Sequence, residues 1–96
     1  MAELREEIDR IDAELVALVA RRIACIDRAV ELKRAAGLPA RITPRVETVA
    51  GNARAAAAAW GIEPAAVEAL WRTIIGWSIA REQAALGEAP EDAGRG

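Results

Sequence analysis

The chain has 96 residues, 53% of them hydrophobic, with three aromatics, all Trp, and 13 basic against 15 acidic side chains for a net charge of −2. That length fits one domain without a second independent core, and the mildly acidic balance lacks the basic surface on which phosphate neutralisation by nucleic-acid binders depends. With no His and a single Cys, Cys25, a zinc site, a Cys/His nucleophilic pair and an internal disulfide are all excluded, so any chemistry falls to Arg, Lys, carboxylates, amides and hydroxyls.

From Glu3 to Ala36 there is neither Gly nor Pro, and apolar residues recur at helical spacing at Leu4, Ile8, Ile11, Leu15, Leu18, Ile26, Ala29 and Val30, which predicts one long helix. Gly37 stands where a left-handed C-terminal cap would sit, with Pro39 behind it to stop the ladder. After a short loop from Gly37 to Ile42, Thr43 offers an N-cap hydroxyl and Pro44 suits the first turn, so a second helix is expected from Pro44 through the alanine run to about Trp60. Gly61 closes it. Pro64 opens a third helix with an apolar stripe of Val67, Leu70, Trp71, Ile74, Ile75, Ser78, Ile79 and Leu86, and beyond Gly87 the Gly-, Pro- and acid-rich segment 88–96 reads as a mobile tail. The expected organisation is therefore an all-α domain over 1–87 followed by that tail. No apolar run approaches the ~18 residues of a membrane span, and Met1–Ala2–Glu3 leads straight into a charged helix, so a cytoplasmic protein without a membrane partner or a leader is expected.

The first helix is too long for its own domain. Thirty-four residues at ~1.5 Å each give about 50 Å, whereas a compact chain of this size has a radius of gyration near ~12 Å. A stripe that continues along nearly the whole helix needs another copy to cover it, which predicts an interlocked homodimer.

Along that stripe the apolar pattern is broken by Arg22 and Lys33. They are eleven residues apart, three turns plus about 20°, so they point the same way with their Cα atoms roughly 16 Å apart. Either they snorkel outward or pair with carboxylates of other helices, or they converge on a guest. Ser78 and Glu82, four apart on the stripe of the third helix, repeat the oddity, and Arg45 adds a cation near a helix N-terminus, where backbone N–H groups favour an anion. Together they sketch a pocket for an anionic small molecule. Arg5 lies about 25 Å along the helix from Arg22 and is turned by roughly 100°, so it cannot share that pocket within one chain. Trp71 and Trp77 are read as core or dimer packing, with walling the pocket as an alternative for Trp77, Cys25 as a small buried or half-buried group, and Arg21 and Arg34 as solvated.

Taken in order, L-R-E-E-I-D-R-I-D at 4–12, A-R-R at 20–22, Lys33, G-L-P at 37–39, Arg45 and I-I-x-W-S-I-A-R-E-Q at 74–83 resemble the all-helical chorismate mutase family, the AroQ class. The resemblance covers about 80 residues. It implies an interlocked dimer of three-helix chains with two equivalent pockets, a small dianionic substrate and no cofactor or metal. Carried over by position, Arg5 meets a substrate carboxylate in the partner's pocket in trans, Arg22 and Arg45 are the same-chain cations, with Arg22 on a carboxylate, and Lys33 and Glu82 face the ether oxygen whose bond breaks. Ser78 belongs to the same pocket. An ionised carboxylate would repel that oxygen, so Glu82, which stands where many members carry Gln, has to hold a proton to donate.

Two positions depart from the pattern. Where well-known members place acids around Arg45 to hold the substrate's ring hydroxyl, this chain has Ile42 and Val46. That departure, with the residues around Trp77, also resembles isochorismate-pyruvate lyase, which forms salicylate, and relatives acting on 4-amino-4-deoxychorismate. A different class stays open as well: a non-catalytic helical dimerisation module in which Arg22, Lys33 and Glu82 form a buried network that sets register.

Overall fold

A computed structural model describes residues 1–89 as three α-helices, α1 Ala2–Ala36, α2 Thr43–Ala59 and α3 Pro64–Leu86, with no strand among them. Segment 90–96, most of the expected tail, lies outside the described residues. Gly37 adopts φ 69 with its N–H on the Arg34 carbonyl, while the Leu38 N–H returns to Lys33 O at 2.9 Å, the double bond of a left-handed helix cap. Gly87 ends α3 in the same way, at φ 76.

The start of α2 differs from the expectation. Ile42 occupies the N-cap in extended conformation and Thr43 is already helical, so no side chain caps this end. The Ile42 carbonyl instead accepts the N–H groups of Arg45 and Val46 at 2.9 and 3.1 Å. Pro44 in the first turn removes one donor that would otherwise be orphaned.

Helix α3 is the middle element and packs against both others. Against α2 it runs antiparallel, with Ala50, Ala53 and Ala57 buried on the α2 face; side chains this small let the two backbones approach closely. Charges lock the outer edge of that pair: Arg72 bridges Glu47 and Glu68, each at 3.0 Å, and Arg54 reaches Glu68 at 3.2 Å. Against α1 it runs parallel, alongside the C-terminal half only, where Arg81 forks onto Asp27 at 2.7 and 3.0 Å and Arg34 donates to Ala85 O at 2.7 Å. The core is a cluster of Ala40, Ala50, Ile75 and Ile79, with Val46, Val49 and Leu86 packed around it.

Among the described residues, nothing packs beside the N-terminal half of α1. Leu4, Ile8, Ile11, Leu15 and Leu18, one helical stripe, are each between 45% and 55% exposed. The chain is correspondingly elongated, 50 × 29 × 23 Å with a radius of gyration of 16.1 Å, against ~12 Å for a compact chain of this length. Cys25, expected to be buried or half-buried, is exposed, because it falls off the strip of α1 that α3 covers. Leu70 and Trp77 on α3 are about half exposed as well, and on the surface of α1 Arg10 pairs with Glu7 at 2.7 Å. No helix among the described residues is long and apolar enough to cross a membrane.

Candidate active site

A hollow of about 250 Å³ opens between the C-terminal half of α1, the 37–42 loop, the first turns of α2 and the last turns of α3. Its walls carry Arg22 and Lys33 from α1, Arg45 from α2, and Ser78 and Glu82 from α3; Ile26, Ile42, Val46, Val49, Ile75 and Ile79 supply most of the remaining surface. The spacing argument for α1 is thus met in space. Arg22 and Lys33, three turns apart, face one cavity from its two ends.

Each polar group is held by a neighbour. Arg22 donates from a terminal nitrogen to Ser78 Oγ at 2.5 Å, and that hydroxyl donates in turn to the Ile74 carbonyl at 2.9 Å. Ser78 therefore fixes one N–H of the guanidinium and leaves the rest of the fork for an acceptor in the cavity. At the other end, Lys33 Nζ donates to Ala40 O at 2.5 Å and stands 3.0 Å from Glu82 Oε1. An ammonium has three donors, so the third is available to a guest. Glu82 is only 4% exposed. A buried carboxylate is costly unless it is partnered, and Lys33 is the partner here.

Arg45 completes the set from the rim. It is exposed, in the first turn of α2, and forms no ion pair among the described residues. Three cations thus face one carboxylate across a mostly apolar hollow, an excess of positive charge in a region where aliphatic walls keep the local dielectric low and strengthen attraction for an anion. Outside the hollow, a hydrogen bond from Arg72 holds the pKa of Glu47 and, joined by Arg54, that of Glu68 below the usual glutamate range, and one from Arg81 holds that of Asp27 below the usual aspartate range.

Of the residues singled out from sequence, Arg22, Lys33, Ile42, Arg45, Val46, Ser78 and Glu82 line this one hollow. Arg5 does not; it stands on the uncovered half of α1, as its distance along the helix requires. Trp77 is absent from the lining. One contributor had no sequence signal: the backbone carbonyl of Ala40, which holds Lys33. Main-chain acceptors have no residue type, and only the loop geometry reveals them.

A three-helix chain with a cation-lined hollow between its helices is a scaffold for binding a small anion. The sequence profile of the family described as chorismate mutase type II matches residues 4–83, and the chain belongs to that family, the AroQ class. Its activity is accordingly of the chorismate mutase type. No solved structure matches the chain.

Proposed function

We propose that the protein converts chorismate to prephenate in this hollow, as an interlocked homodimer in which Arg5 of one chain closes the pocket of the other. The observation that carries this reading is the convergence of Arg22, Lys33 and Arg45, from two helices, on one largely apolar cavity. The reaction is a [3,3] rearrangement. The allylic C–O ether bond breaks while a C–C bond forms between the enolpyruvyl methylene and the ring, and the former ether oxygen becomes a ketone. Nothing is oxidised and no proton is transferred, so neither a nucleophile nor a metal is needed. What the site has to do is hold a flexible dianion in its compact chair-like conformer and place donors where the departing oxygen gathers charge.

Arg22, already braced by Ser78, and Arg45 hold the two carboxylates, joined by Arg5 in trans. Lys33 and Glu82 face the ether oxygen, to which Glu82 is a donor only in its carboxylic acid form. The exposed stripe from Leu4 to Leu18 supports the dimer, since that much aligned aliphatic surface is stabilising only when another chain covers it. Incubating the protein with chorismate and with isochorismate side by side decides the matter: prephenate from the first is expected, and no turnover of either substrate would remove the reading.

A specific observation favours a second reading. Ile42 and Val46, beside Arg45, present only hydrocarbon to the cavity, so a ring hydroxyl arriving there meets no partner and is desolvated at a cost. Isochorismate carries its hydroxyl at a different ring carbon. Its conversion to salicylate and pyruvate moves a ring hydrogen to the enolpyruvyl methylene as the same C–O bond breaks. Faster release of salicylate than of prephenate would establish this alternative, and preference for 4-amino-4-deoxychorismate would point to the aminated substrate.

A further inference from the structure

Glu88 follows α3 directly. The left-handed turn at Gly87 sends the chain back, with the Glu88 N–H on Gln83 O at 2.9 Å, and swings the Glu88 side chain against the loop between α1 and α2. There Glu88 Oε2 accepts the backbone N–H of Ala40 at 2.8 Å. Ala40 is 2% exposed and belongs to the core cluster. Its carbonyl is the group that accepts Lys33 Nζ at 2.5 Å. One buried residue is therefore held from both sides, by a carboxylate on its N–H and by the cavity's ammonium on its C=O.

We propose that Glu88 is a positioning residue for Lys33. It does not line the cavity, and it acts by pinning Ala40, whose carbonyl sets where the ammonium stands relative to Glu82 and to a guest. A lysine head on a four-carbon stem has no direction of its own; its place is decided by its acceptors. Without Glu88 the Ala40 N–H would be a buried donor lacking a partner, a state that backbone groups avoid. The loop would shift to wet that N–H, and the Ala40 carbonyl would move with it. The link from Glu88 to rate rests on the proposed role of Lys33 at the breaking C–O bond, whereas the link from Glu88 to Lys33 position does not.

Lys33 is the sole lysine of the chain, so its ε-methylene and ammonium give one set of NMR signals that needs no assignment among lysines. Glu88→Ala and Glu88→Gln variants are compared with the parent by three readouts: exchange of the Ala40 amide, the Lys33 side-chain resonances, and kcat and KM on chorismate. Glu88→Ala is expected to speed Ala40 exchange by roughly tenfold or more, to move the Lys33 signals, and to lower kcat about tenfold with KM within about twofold. Glu88→Gln keeps an acceptor oxygen and should recover most of each. Unchanged exchange and unchanged Lys33 signals in Glu88→Ala overturn the proposal. So does a rise in KM at constant kcat, or equal damage in both variants. If the parent protein leaves chorismate untouched, the proposed reaction fails, and the amide and lysine signals still decide the role of Glu88.

Discussion

Lys33 Nζ and Glu82 Oε1 lie 3.0 Å apart across one end of the cavity, with side chains 18% and 5% exposed. Opposite charges this sheltered interact with each other as strongly as with any guest, and each is the other's competitor for the substrate oxygen. A glutamate can donate to that oxygen only while it holds a proton. Glu82→Gln, whose amide is a donor without needing a carboxyl proton, should therefore keep or raise kcat/KM on chorismate. Steady-state kinetics on the parent and on Glu82→Gln check this; a loss of about tenfold or more in the variant would remove Glu82 from the donor role.

Arg22 and Lys33 line the hollow from opposite ends. Replacing either by Ala removes a preorganised charge from a water-poor site, and kcat/KM should drop by about 100-fold or more. Ser78→Ala should do less, because it loosens the bracing of Arg22 without removing it; a loss of roughly threefold to tenfold is expected for a single neutral hydrogen bond. Steady-state kinetics on the three variants give the order.

Val46 tests hydroxyl recognition. Val46→Glu places an acceptor beside Arg45, in a wall that is otherwise hydrocarbon. The ratio of prephenate formed from chorismate to salicylate formed from isochorismate should rise several-fold, as expected when a buried polar substrate group gains its missing partner. Product ratios from parallel incubations measure it.

The apolar stripe on the free half of α1 is tested by Ile11→Asp. A charge at the centre of that stripe should convert a dimer into a monomer at micromolar concentration and lower Tm. Sedimentation of the parent and the variant reads the first and calorimetry the second.

Acid stability follows from the Arg-linked carboxylates. Glu47 and Glu68 are held below the ordinary glutamate value of 4.5 by hydrogen bonds from Arg72, and Asp27 below 3.8 by Arg81. A depressed folded-state value means that the stabilisation is complete above the unfolded value and is lost as pH falls through the folded one. Tm should hold from pH 7 to 5 and decline below about 4, with a shallower decline in Arg72→Ala. These groups are solvent-exposed, so added salt should shrink the difference.

Much of this was legible in the residues because Gly and Pro punctuate the chain. Gly37, Gly61 and Gly87 follow the helix ends at positive φ, which other residues resist, and Pro44 and Pro64 fall in the first turns of α2 and α3, where a missing N–H costs nothing. Arg22 and Lys33 stood out because eleven residues is close to three whole turns. The cap at Ile42 was not legible, since Thr43 has the better side chain and loses the position to the path of the loop. Cys25 was misjudged for a related reason: a helical pattern reports which residues share a face, not how much of that face a neighbouring helix covers. Glu88 resembled every other acid of a polar tail until the turn at Gly87 placed it against Ala40.

The uncovered half of α1 has a consequence for how the activity would be switched. If Arg5 is lent by a neighbour, each hollow is whole only while two chains stay together, and diluting the protein below its dimer dissociation constant would extinguish catalysis before any helix unravels. Specific activity would then climb with enzyme concentration, a behaviour foreign to a site assembled within one polypeptide.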